Sequence, residues 1–253
     1  MSKKENDDVL RRIRAALHSE PGLSTGLRLD ILALKEDGTL TLQGEATSVA
    51  SKKRALELAA ATAGVSAIAD RLHVAPATTM DDGEIRTNLC RSFSNEPAFA
   101  GYALRQLRAP APAPSPDVDY ELIAGDPATA GGEIDIEVRE GIVILNGWVP
   151  GLVSKRLAGV MAWWVPGVRD VINGLEVTPP EEDAPIRIEA AVHLVLERDP
   201  QIDAGQIRVG VRGRDVRLTG SVRSQTQSAQ AERDAWCVFG VDRVINELTV
   251  QRG

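Results

Sequence analysis

The sequence predicts an α+β protein of three tandem αββαβ modules, each a small mixed three-stranded sheet packed on two helices. The main observation is a repeat: the strand-like segment GTLTLQGEA at 38–46 returns as GIVILNGWV at 141–149 and as RDVRLTGSV at 214–222. A second observation is the constant distance of 30 residues from the last glycine of each segment to a closing valine, as from Gly44 to Val74. Matched spacing in three copies is typical of a repeat architecture.

A first helix is predicted at the start of each copy, because apolar residues recur there at i, i+4 and i+8. These residues are Val9, Ile13 and Leu17 in copy one, Ile85, Leu89 and Phe93 in copy two, and Ile188, Val192 and Leu196 in copy three. Proline follows each helix, at Pro21, Pro97 and Pro200, and ends it because proline cannot continue a helix. A strand and a tight turn then lead into the repeated strand, as in a β-hairpin.

A second helix follows the repeated strand and carries two alanines one turn apart, which lets it lie close to a sheet. The pairs are Ala55 and Ala59, Ala158 and Ala162, and Ala231 and Ala235. Glycine is typical of the end of a helix, and we predict turn or cap roles for Gly44, Gly147, Gly220, Gly64, Gly167 and Gly240. The closing strand is reached through a helix, so we expect it to lie parallel to the repeated strand.

The predicted modules span residues 1–76, 77–180 and 181–253. The middle one contains an insertion at about 98–132, which includes the Ala/Pro tract RAPAPAPSPD. Such a tract favours extended polyproline-like structure. We therefore interpret most of the insertion as an exposed loop or arm, with AGYALRQL at 100–107 extending a helix.

Composition and charge exclude several classes of protein. A formal net charge of −7 argues against nucleic-acid binding, which depends on cations that neutralise phosphates. Cys90 and Cys237 form no CxxC pair, and the N-terminus has no apolar segment of a signal peptide or lipoprotein signal. Apolar runs are too short to span a bilayer. We expect a cytoplasmic chain that is peripheral at the membrane.

No enzyme signature is present in the sequence. His18, His73 and His193 fall in different modules, without cysteine or carboxylate at metal-ligand spacing. The chain has no Walker loop, no GxSxG and no glycine-rich dinucleotide motif. We expect no catalytic residues, no metal and no cofactor.

The repeated motifs resemble the BON domain family, named for bacterial OsmY and nodulation proteins. The resemblance is carried by the strand that ends at Gly44, Gly147 or Gly220, the anchor glycine of each copy, by the Gly-Val pair after the second helix, and by VINGLEV at 171–177 and VINELTV at 244–250. It covers nearly the whole chain as three copies. It implies an αββαβ module without catalytic activity that binds membranes, phospholipids or other hydrophobic or anionic ligands, in envelope and osmotic-stress proteins.

Three tryptophans are candidates for a membrane contact. Trp163 and Trp236 occupy the same repeat position, and Trp164 is adjacent to the first of them. They follow the sheet-facing alanines and should lie about 100° round the helix, toward its edge. Tryptophan there suits a membrane interface. The alternative is that the side chains cover a seam between sheet and helix or between neighbouring modules.

Basic residues at the start of the second helix are candidates for an anion site. They are Lys52, Lys53 and Arg54 in copy one and Lys155 and Arg156 in copy two. Cations oppose the helix dipole at this end, whereas free amides together with basic side chains can hold a phospholipid headgroup. The alternative is a solvated charged face, which is also our interpretation of the arginines of 208–217.

These observations favour a non-enzymatic protein that binds anionic phospholipid or a membrane surface by avidity, in envelope or osmotic-stress maintenance. Residues 1–76 hold 11 Lys and Arg against 10 Asp and Glu, whereas 77–180 and 181–253 are net acidic. The first module is therefore expected to approach anionic lipid without net repulsion. Two alternatives stay open: a protein interaction scaffold or chaperone-like adaptor with a protein partner, and a sensor of a small ion such as potassium.

Overall fold

The computed structural model describes residues 3–107 and 120–251. These residues form two compact units, and the boundary between the first and the second unit lies between Pro76 and Ala77. The first unit has the predicted order of elements, with one additional helical turn. Its elements are α1 (Lys3–Ser19), α2 (Leu23–Gly26), β1 (Leu27–Leu34), β2 (Thr39–Ala46), α3 (Val49–Ala60) and β3 (Ala67–Val74).

The sheet of the first unit has the order β1-β2-β3. β1 is antiparallel to β2, and β3 is parallel to it, as expected for a strand reached through a helix. The two helices cover one face, because Ile13, Ala55 and Ala59 are fully buried against Leu40 and Leu42. The predicted helix stripes and the alanine contact with the sheet are confirmed in this copy.

The second unit contains the other two copies. Its middle copy consists of α4 (Asp82–Ser94), β4 (Ala103–Leu107), β5 (Tyr120–Ala124), β6 (Glu133–Arg139), β7 (Ile142–Val149), α5 (Leu152–Trp164), β8 (Asp170–Asn173) and β9 (Glu176–Val177). Its third copy consists of α6 (Pro185–Arg198), β10 (Ile207–Arg212), β11 (Asp215–Val222), α7 (Gln225–Cys237) and β12 (Arg243–Val250). The sheet β10-β11-β12 repeats the topology of the first unit.

The insertion of the middle copy adds strands to its sheet. β4 pairs in parallel with β6 and antiparallel with β5, which gives a six-stranded sheet in which β9 continues the pairing of β8 along β7. Ala103, Leu104 and Leu107 are buried. The prediction of an exposed arm is wrong for this part, and so is the helical extension at 100–107, because the segment pairs as a strand with β5 and β6 and Tyr102 and Leu104 join the core. The Ala/Pro tract lies outside the described residues.

The second and third copies share one hydrophobic core. α5 contacts both α6 and α7, so helices of the two copies pack against each other. In each sheet alternate side chains, such as Val143 and Leu145 of β7 and Val216 and Leu218 of β11, are buried in this core. The intervening side chains therefore form an outer face that points away from the helices. The buried cluster includes Val160 and Met161 of α5 together with Val192 and Val195 of α6.

The predicted turn and cap glycines all have positive φ angles. A Cβ atom at Gly44 would lie 2.0 Å from the carbonyl oxygen of Arg28 on the paired strand, which excludes any side chain there. The other five are Gly147, Gly220, Gly64, Gly167 and Gly240. No helix among residues 3–107 and 120–251 is long and apolar enough to cross a membrane.

Candidate functional site

The basic candidates of α3 are engaged within the first unit. Ser48 caps the helix by accepting a hydrogen bond from the backbone N–H of Ser51. Lys52 is buried, with its Nζ atom 3.1 Å from a carboxylate oxygen of Asp70. Lys53 is half-buried.

Arg54 donates hydrogen bonds to Glu20, at 2.7 Å, and to Glu57, at 2.6 Å, and these bonds raise its pKa. Lys52, Lys53 and Arg54 therefore form no open anion cradle at this helix end, because two of the three hold carboxylates of their own unit.

The N-terminus of α5 already holds an anion, which comes from the chain itself. The carboxylate of Glu181 accepts a 2.8 Å hydrogen bond from the backbone N–H of Leu152. Arg187 lies 3.2 Å from the other oxygen of Glu181. Lys155 remains half-buried on the helix surface. The N-terminus of α5 therefore does attract negative charge, as the sequence predicts, but Glu181 of the linker between the second and third copies occupies it.

Arg156 is fully buried between the second and third copies. Its Nε atom donates to the carbonyl oxygen of Phe239 at 2.8 Å, and its Nη2 atom donates to Asp183 at 2.5 Å. Its Nη1 atom is buried without a hydrogen bond. A guanidinium enclosed in this way is not exposed to a lipid headgroup, and its role in the structure is to join the two copies.

The tryptophan candidates are all half-buried. Trp163 and Trp164 pack against the shared core of the second unit. The indole Nε1 atom of Trp164 donates a 2.9 Å hydrogen bond to Oδ1 of Asp234 on α7. This contact crosses from the second copy to the third, so Trp164 covers the seam between modules. Trp236 is half-buried on α7.

Asp234 is a buried acid that sequence analysis missed. It is 1% exposed, and burial raises its pKa to about 7, with the neighbouring Asp199 carboxyl as a further cause. Its Oδ1 atom accepts hydrogen bonds from Trp164 and Gln230, whereas its Oδ2 atom is buried without a hydrogen bond. The repeat in the sequence contains a signal for this acid. At the position 14 residues after the anchor glycine, the first two copies have Leu58 and Met161, whereas the third has Asp234.

The first unit contains an open cleft of about 440 Å³ between the C-terminal half of α1, α2 and β1. Its apolar floor is formed by the leucines 17, 23, 27 and 29, and Arg14 and His18 stand at its rim. Arg14 is exposed and has no ion pair within the described part of the chain. Arg14 and His18 are one helical turn apart and next to the buried stripe of α1, which is the sequence signal that could have identified the cleft.

Metal ligands do not converge in the described structure. Residues 3–107 and 120–251 contain no group of three or more His, Cys, Asp or Glu side chains that could hold a metal ion. Cys90 is buried and Cys237 is half-buried, and the two form no disulfide with each other.

Comparison with known proteins identifies the repeated module. The family model described as BON domain matches residues 6–76, 120–179 and 187–252. These segments cover well over half of the chain, and one of them lies within each of the three predicted copies. The middle match begins at β5 and leaves out α4 and β4.

Structures and curated proteins add little to this assignment. Two structures of CdsD, a structural protein of the Type III secretion system of Chlamydia trachomatis, are similar to 97% of this chain at 14% identity. The match covers 98% of the C-terminal domain in one structure and 93% of the chain in the other, each with a TM-score of 0.25. No curated protein matches the chain significantly.

Proposed function

This chain belongs to the BON domain family, and on that premise we propose that it is a non-enzymatic protein that binds anionic phospholipid at a membrane surface, through the cleft of its first unit. A role in envelope or osmotic-stress maintenance belongs to the same proposal. The observation that carries it is that one cleft combines an apolar floor with an exposed arginine at its rim, Arg14, which has no ion pair within the described part of the chain.

The chemistry of the cleft suits an amphiphile with a negatively charged head. Leu23, Leu27 and Leu29 offer hydrocarbon contact for an acyl chain, and a volume of about 440 Å³ is in the range of small-molecule sites. Arginine keeps its charge at all working pH values and binds phosphate oxygens with a planar fork of donors. Arg14 at the rim of the cleft therefore suits the lipid phosphate, and the leucines at its floor suit the acyl chain of the lipid.

The charge distribution supports the first unit as the part that approaches lipid. Residues 1–76 are the only module without net negative charge. In the second unit, Arg156 and Trp164 are engaged between copies. A single docking site in the first unit is therefore favoured over the avidity of three equal modules expected from the sequence.

We expect Arg14→Glu to weaken binding to phosphatidylglycerol vesicles by roughly tenfold or more. A basic residue near an anionic surface contributes about 1 kcal/mol, so a charge reversal changes the binding free energy by about twice that amount. Vesicle co-sedimentation at constant ionic strength measures the effect. The loss should be greater than any change in binding to phosphatidylcholine vesicles.

Arg71→Glu is the matched control for this substitution. Arg71 is exposed on β3, next to Gln43 on the face of the sheet opposite to the helices. The control changes the charge of the same unit by the same amount at a place outside the cleft. Equal losses for Arg14→Glu and Arg71→Glu would indicate diffuse electrostatic attraction and would refute a site at the cleft.

A further inference from the structure

The outer face of the third sheet, defined as the side chains of β10–β12 that point away from the helices, is rich in arginine. Cross-strand pairing places Arg208, Arg212, Arg217 and Arg243 on it, together with the acidic Asp215 and Glu247. Arg217 pairs with Glu247 at 2.5 Å. The exposed side chains of Arg208, Arg212 and Arg243 have no hydrogen-bond or ion-pair partner among residues 3–107 and 120–251. This basic face therefore carries uncompensated positive charge.

The outer face of the middle sheet has the opposite charge. Cross-strand pairing places Glu133, Asp135, Glu137, Asp170 and Glu176 on it, with Arg105 and Arg139 as the only cations of its described strands. Arg105 bonds Asp135 at 2.6 Å and Glu133 at 2.5 Å, and Arg139 pairs with Glu137. The five carboxylates outnumber the two arginines, so this acidic face has a net negative charge.

The acidic face also exposes apolar side chains. Ile172 is 53% exposed and Leu122 is 47% exposed, and Ile144 lies beside Ile172 on the adjacent strand. Trp148 is half-buried and pairs with Glu133 and Glu176. An apolar surface bordered by carboxylates suits arginine, whose stem covers apolar area and whose guanidinium binds carboxylates or stacks on an aromatic ring.

From this complementarity we propose that the chain associates with a second molecule of the same protein, with the basic face of one molecule on the acidic face of the next. The two faces belong to one compact unit, and both point away from the contact between its helices. They can therefore meet only between two separate molecules. Because different surfaces are joined, the contact is head-to-tail and yields an open chain or a closed ring. This inference goes beyond lipid binding and does not depend on it.

Sedimentation velocity of the full chain tests the proposal. We expect the average mass to rise with protein concentration at low ionic strength and to fall with added salt, because exposed charges are screened. R208E/R212E should weaken association by more than about a hundredfold, since like charges would then face each other. The control R223E/R233E makes the same change of charge at exposed positions off the basic face and should associate as the unmodified chain does.

A mixing experiment establishes the head-to-tail geometry. The variant I172K/E176K should also be monomeric, because it places positive charge on the acidic face. Mixed with R208E/R212E, it should form a one-to-one complex and nothing larger, since each variant retains one intact face. A chain that stays monomeric at its highest soluble concentration, or an assembly that R208E/R212E leaves unchanged, would overturn the proposal. Failure of the mixed variants to pair would overturn it equally.

Discussion

Replacing Arg156 by alanine is expected to lower the free energy of unfolding of the second unit by about 3 kcal/mol, because removal of one member of a buried charged network leaves its partners unpaired and a cavity behind. The carbonyl oxygen of Phe239 and the carboxylate of Asp183 would both lose their donor. Arg156→Lys should recover only part of the loss, since lysine lacks the guanidinium fork.

Denaturant titration followed by tryptophan fluorescence measures this effect. All four tryptophans lie in residues 77–253, so their fluorescence reports on the second unit alone. Lys155→Ala is the control, because Lys155 is adjacent in sequence and half-buried, and it should change stability by no more than about 0.5 kcal/mol. Equal losses of stability for Arg156→Ala and Lys155→Ala would contradict the conclusion that Arg156 holds the second and third copies together.

The second unit is also expected to lose stability as pH rises from about 4 to about 7, through Asp234. Burial raises the pKa of this carboxyl from 3.8 to about 7. Between these values the folded state binds the proton more tightly than the unfolded state, so unfolding becomes easier as pH increases. At 1.36 kcal/mol per pKa unit, the contribution reaches roughly 4 kcal/mol at most.

Asp234→Asn isolates this contribution from other titrating groups. Asparagine keeps an oxygen to accept from Trp164 and Gln230, and its amide group replaces the unpartnered oxygen beside Asp199. We expect the stability difference between variant and unmodified chain to grow in favour of the variant from pH 4 to pH 8, measured by denaturant titration at each pH. A difference that is constant over this range would show that Asp234 ionises normally.

The repeat made most of the fold predictable. Constant spacing between Gly44 and Val74, and between their counterparts, determined the order of elements, and the alternating and helical patterns identified the buried faces. The strands β4 and β5 are not predictable from the repeat, because they lie in the insertion and have no counterpart in the three-stranded sheets of the other two copies. A strand such as Ala103–Leu107 is recognisable only when its pairing partner, here β6, is known.

The candidate site was less predictable, because charge in the sequence does not reveal where its partner lies. Lys52 is neutralised by a residue on β3, and Arg54 by Glu20 before β1. The burial of Arg156 depends on the contact between two copies, which the pattern within a single copy does not encode. Departures from the repeat were the better signal, as Asp234 demonstrates by replacing the leucine and methionine of the other copies.

The most direct test of the proposed function is co-sedimentation with phosphatidylglycerol and with phosphatidylcholine vesicles, with tryptophan fluorescence recorded in the same samples. We expect selective binding to phosphatidylglycerol without a blue shift, because the cleft is in the first unit and every tryptophan is in the second. The variant Ala15→Trp, at the lining of the cleft, should bind with a blue shift. Absence of selective binding, or a blue shift of the unmodified chain, would contradict docking through the cleft.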